Sequence, residues 1–106
     1  MTIEQRTAEI ISQFEPPRAL AFAGHTNESE LRKLLDVVGA RIDRAAFSLV
    51  DTLADNPEAS EALTTANYKL AVGGFSLSFC RTDFKRAAVG IAEAEQAATD
   101  FEAFAV

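Results

Sequence analysis

Asn67-Tyr68-Lys69-Leu70-Ala71-Val72-Gly73-Gly74-Phe75-Ser76-Leu77-Ser78-Phe79-Cys80 is the stretch on which the fold turns, because it obeys two periodicities at once. With period two, Tyr68, Leu70 and Val72 share a face with Phe75, Leu77 and Phe79. Asn67, Lys69, Ser76 and Ser78 then share the other face, and Gly73-Gly74 is a two-residue turn. With the helical period, Tyr68, Val72, Phe75 and Phe79 form an aromatic stripe at i, i+4, i+7 and i+11, while Leu63, Leu70, Leu77 and Phe84 form another. Two adjacent glycines cost a helix interior about 2 kcal/mol, and the Thr, Asn, Tyr, Val, Phe, Ser and Cys residues add some tenths each relative to Ala. Most of the same residues suit a strand. Local propensity therefore favours a β-hairpin over 67–80.

The neighbouring segments are helical. Upstream, apolar residues at 31, 34, 35, 38, 42, 45, 46, 49 and 53 keep the helical period, and Asn27 with Glu30 reads as a capping box, so a helix is expected over about 28–54. Asn56 and Pro57 follow as an N-cap and first-turn pair. Downstream, Thr82 or Asp83 can cap a helix over about 83–103, with Phe84, Ala87, Ala88, Ile91, Ala94, Ala98 and Phe101 on its apolar side. At the start, Thr2 with Gln5 makes a capping box for a helix over 3–14, and Pro16-Pro17 ends it. Residues 18–23 alternate apolar and small side chains before Gly24 and read as a short strand or an apolar loop.

The expectation is a single helix-dominated α+β domain, residues 1–106: three main helices (about 3–14, 28–54, 83–103), a β-hairpin at about 67–80, and at 18–23 a short strand or an apolar loop. The alternative is an all-α helical bundle, which the length of the 28–54 helix supports, since it overhangs six-residue strands of about 20 Å.

Composition narrows the function. With one Cys and one His among 106 residues, there is no internal disulfide and no ligand set for a structural zinc, and neither a metal nor a cofactor is expected. A polar N-terminus and the lack of a long apolar run point to a soluble, cytoplasmic protein without a membrane span. The net charge of −6 argues against direct nucleic-acid binding. The charge is also unevenly spread, with a basic cluster at Arg81, Lys85 and Arg86 and an acidic end at Glu93, Glu95, Asp100 and Glu102.

No triad, phosphate loop or metal motif is present, so catalysis is not the expected activity. From Pro57 to Arg81, beginning Pro57-Glu58-Ala59-Ser60-Glu61-Ala62-Leu63, the spacing is similar to that of the helical-hairpin cyclic-nucleotide sponges of phages over a quarter of the chain. Gly73-Gly74 departs from that pattern, and no function is carried over.

The leading expectation is a small acidic, non-enzymatic, intracellular protein that binds another macromolecule, of inhibitor, antitoxin-like, immunity or phage counter-defence type. It is expected to self-associate, with a dimer favoured. Its expected interface comprises Phe47, Glu93, Glu95, Asp100, Phe101, Glu102 and Phe104: the acidic helix end, its apolar anchors, and an aromatic standing off the long helix's stripe. The alternative is a small-molecule or nucleotide binder that holds an anion at Gly24, His25, Thr26 and Asn27, where a helix begins, and at Arg81, Lys85 and Arg86. A minor third is thiol chemistry at Cys80, whose pKa nearby cations would lower.

Overall fold

The computed structural model describes the backbone of all 106 residues and every side chain except that of Phe22. Five α-helices run in order: α1 (Ile3–Phe14), α2 (Arg18–Phe22), α3 (Glu28–Ser48), α4 (Pro57–Ser76) and α5 (Phe84–Glu102). Short 3-10 turns follow at Leu53–Asp55, Leu77–Phe79 and Ala103–Ala105, and no strand occurs among the described residues. The all-α alternative is therefore the fold, and the α+β expectation is corrected at both of its β elements.

The hairpin at 67–80 is instead the second half of α4 and the 3-10 turn after it. A lone two-stranded hairpin is marginal in water, whereas as a helix this stretch packs against its neighbours. Gly73 is buried, and a Cβ placed on it would stand 3.1 Å from the Gly90 carbonyl oxygen and 3.1 Å from a methyl of Leu35. The glycine that looked like a turn residue is a contact residue, and close approach of three helices offsets its helix penalty. Gly74 is different: it is exposed, and a Cβ there would have open space, so nothing in the fold offsets its cost of about 1 kcal/mol.

The strand expected at 18–23 is the single-turn helix α2, favoured by Ala19 and Ala21 and entered from Pro17. It ends at Gly24, whose φ of +89° lies where side chains are rarely tolerated.

The 28–54 helix ends early, at Ser48. Ser48 Oγ donates to the Arg44 carbonyl and Thr52 Oγ1 to the Leu49 carbonyl, local bonds that compete with continued helix among weak helix formers. Asn27 precedes α3, but its side chain makes no cap bond; its amide donates instead to the Phe14 carbonyl, tying the end of α1 to the start of α3. The other caps are as the sequence implies. Thr2 and Gln5 bond reciprocally, Asn56 accepts from the Ala59 N–H, and Asp83 accepts from the Arg86 N–H.

Helix α5 is the hub, packed against α4, α1 and α3. All seven residues expected on its apolar side are buried, and Gly90, Ala92 and Ala97 are buried as well, because neighbours surround it on three sides. Cross-contacts give the directions. Lys69 reaches Glu93 and Gly73 meets Gly90, so α4 and α5 are antiparallel. Gly39 lies near Leu70 and Gly73 near Leu35, so α3 and α4 are antiparallel too. Arg6 reaches Glu95 while Glu15 and Phe84 line one cavity, which sets α1 antiparallel to α5. The bundle is elongated, 53 × 22 × 15 Å, around a core led by Phe101, Ile10, Leu31, Ile42 and Ile91. No described helix is long and apolar enough to cross a membrane.

Candidate interaction surface

The acidic end of the chain is largely committed within the molecule. Glu95 accepts from Arg6 Nε at 2.7 Å and Nη2 at 3.1 Å, a bidentate clamp between α5 and α1. Glu102 accepts twice from Arg41 of α3, which also donates to Thr99 at 2.9 Å. Glu93 pairs with Lys69 of α4 at 3.1 Å. Each of the three carboxylates thus ties α5 to a different helix. The Arg41 bonds hold the Glu102 carboxyl below its usual range and the Arg41 guanidinium above its own. Asp100 accepts from Gln96 on its own helix.

The aromatics of the expected interface also divide. Phe101 is fully buried, which corrects its assignment as a contact residue: its place on the α5 stripe puts it in the core. Phe104 is half-buried against that core, and Phe47 stands 80% exposed on α3.

The expected anion set is split between two different faces at the N-terminal end of α5. Thr26 hydrogen-bonds the Cys80 thiol, so the 24–27 turn does approach Cys80. A cavity of about 600 Å³ nearby is lined by Glu15, Arg18, Cys80 and Arg81 among others. Lys85 and Arg86 lie elsewhere, on a separate groove against α4. Asn27 is engaged with Phe14, and His25 and Gly24 are exposed. Burial pushes the Cys80 thiol up, Glu28 pushes it further, and the Thr26 bond opposes both. That is the reverse of the activation that neighbouring cations would bring. Among the described residues, no group of three or more His, Cys, Asp or Glu side chains is placed to hold a metal.

The feature absent from the sequence-derived candidates is the outward face of α4. Tyr68 and Phe75 are each 65% exposed, and Val72 and Phe79 are half-buried beside them. Phe75 and Phe79 stack edge to face at 5.7 Å, and the Arg86 guanidinium lies 3.8 Å above the Phe79 ring. Between this row and α5 runs a groove of about 410 Å³, bounded by Val72, Phe75, Lys85, Arg86 and Glu93. The aromatic stripe of the helical reading was the available signal. The hairpin reading of 67–80 sets that stripe aside, because in period two these residues do not form one helical row.

No protein-family model, curated protein or solved structure matches this chain.

Proposed function

We propose that this chain is a small non-enzymatic intracellular protein that acts by binding a protein partner, and that the outward face of α4 is its binding surface. The observation that carries this reading is the pair of 65%-exposed aromatics, Tyr68 and Phe75, beside an open groove lined by Lys85 and Arg86 together with Asp83 and Glu93. Exposed aromatics with an adjacent guanidinium are the composition of energetic centres in protein interfaces. Of the residues expected at the interface, Glu93, Glu95 and Glu102 each pair with another helix of the bundle, while Phe47 and Asp100 stay exposed and Phe104 half-buried. An inhibitory or antitoxin-like role is the finer form of this proposal.

The test is site-specific photo-crosslinking in the source cell, with benzoylphenylalanine in place of Tyr68 and, as control, in place of the exposed Asp36 on α3. A defined protein adduct at position 68 and none at 36 is expected. Equal or absent adducts at both positions overturn the reading.

The second reading is a small anion held in the 600 Å³ cavity, favoured by Arg18 and Arg81 in its wall. Glu15 shares that wall and opposes it. Thermal shift against inorganic phosphate and nucleotides decides; a melting temperature indifferent to all of them removes this reading.

A further inference from the structure

The outward face of α4 carries a pattern that specifies its occupant. From Ala62 to Cys80 the sole charged residue is Lys69, already paired with Glu93, in a chain of net charge −6. Exposed residues on this face fall at Thr64, Tyr68, Ala71 and Phe75 of α4 and at Ser78 in the 3-10 turn that follows, a spacing of four and three that averages the 3.5 residues of a coiled-coil seam. Small side chains occupy 64, 71 and 78, and aromatics occupy 68 and 75. The small positions are symmetric about Ala71. Gly74 stands beside them with nothing within 4 Å of its missing Cβ, a helix-interior glycine that the chain's own packing does not require.

We propose that a second copy of this chain docks here, α4 against α4 in antiparallel sense, about a two-fold axis at Ala71. The inference rests on α4 being the binding face and names the partner. In this register Tyr68 of one copy lies level with the partner's Gly74, Phe75 with the partner's Asn67, Thr64 with the partner's Ser78, and Ala71 with its own counterpart, so that Tyr68 meets a residue without a side chain. Such a patch is self-complementary, as a two-fold interface requires.

Charge selects the antiparallel sense. Glu58 and Glu61 stand at the start of α4, while Lys85 and Arg86 lie beyond its end on the side of α5. A two-fold axis perpendicular to the plane of the two helices keeps the α5 side of both copies on the same side. Each acidic start therefore faces the partner's basic cluster, whereas a parallel pair would set like charges together. The uncharged strip also lets two chains of the same net sign approach without burying unpaired charge.

The experiment is sedimentation equilibrium of the full chain across a wide concentration range, at low and moderate salt. A concentration-dependent dimer is expected. Tyr68→Glu with Phe75→Glu should weaken it at least tenfold with the helical circular dichroism unchanged. Glu61→Lys should weaken it, and adding Lys85→Glu to Glu61→Lys should recover it. In a Cys80→Ser background, Ala71→Cys should form an intermolecular disulfide under mild oxidation and Val37→Cys, exposed on α3, should not.

A chain monomeric throughout, a dimer indifferent to the seam variants, or crosslinking through Val37→Cys in place of Ala71→Cys overturns the proposal. A monomer whose position-68 photo-crosslinker captures a different protein removes self-pairing and leaves the binding face standing; no adduct at 68 removes both.

Discussion

Gly90 of α5 lies so close to Ser76 of α4 that a Cβ on Gly90 would stand 2.8 Å from both the Cβ and Oγ of Ser76. Gly73 completes the contact, its Cα 3.3 Å from the same point. The two helices with the most extensive mutual packing therefore cross on small residues, and the Ser76 hydroxyl is satisfied by donating to the Val72 carbonyl at 2.9 Å. A larger residue at the crossing forces the helices apart.

Gly90→Ala is accordingly expected to destabilise the fold by roughly 1–3 kcal/mol through overpacking. Gly74→Ala, two positions before Ser76 but facing open space, should stabilise it by up to about 1 kcal/mol at concentrations where the chain is monomeric. Urea denaturation of both variants checks the pair. Shifts of the same sign would contradict the crossing.

The Arg41–Glu102 pair sets a pH dependence. Because the folded carboxyl titrates below its unfolded value of about 4.3, its contribution is fully present above that value and is lost as pH falls through the lower folded one. Glu102→Gln should cost about 0.5–1 kcal/mol at neutral pH, the scale of a partly exposed pair, and progressively less in acid. Unfolding curves across that range test this; a deficit that persists undiminished in strong acid would assign it to packing.

Cys80 should behave as a buried thiol. With its pKa raised by burial and by Glu28, labelling by a disulfide reagent is expected to be slower than that of free glutathione at mildly alkaline pH and to accelerate in denaturant. Labelling faster than glutathione would restore the case for thiol chemistry.

The bundle predicts a far-UV circular dichroism spectrum of the α-helical type with no β component. A resolvable β contribution would reinstate a strand pair at 67–80.

Much of this architecture was legible locally. The apolar period over Leu31–Leu49, the Thr2–Gln5 capping box and the stripe from Phe84 to Phe101 depend on residues one to four positions apart, where side-chain spacing and backbone bonds are decided together. The aromatic row on α4 was legible as well, through Tyr68, Val72, Phe75 and Phe79, but only once the segment was read as helix. The role of the acidic end was not legible. Glu95 finds Arg6 across 89 positions and Glu102 finds Arg41 across 61. A charge run looks the same in sequence whether water or another helix meets it.

By itself, the sequence determined the helices whose amphipathic period and caps agree, because those signals are short-range and mutually consistent. Tertiary structure alone decided the state of residues 67–80. Both periodicities fit there, and local propensity favoured the strand. The opposing free energy comes from Gly73 meeting Gly90 and Leu35, residues that only the folded chain brings together.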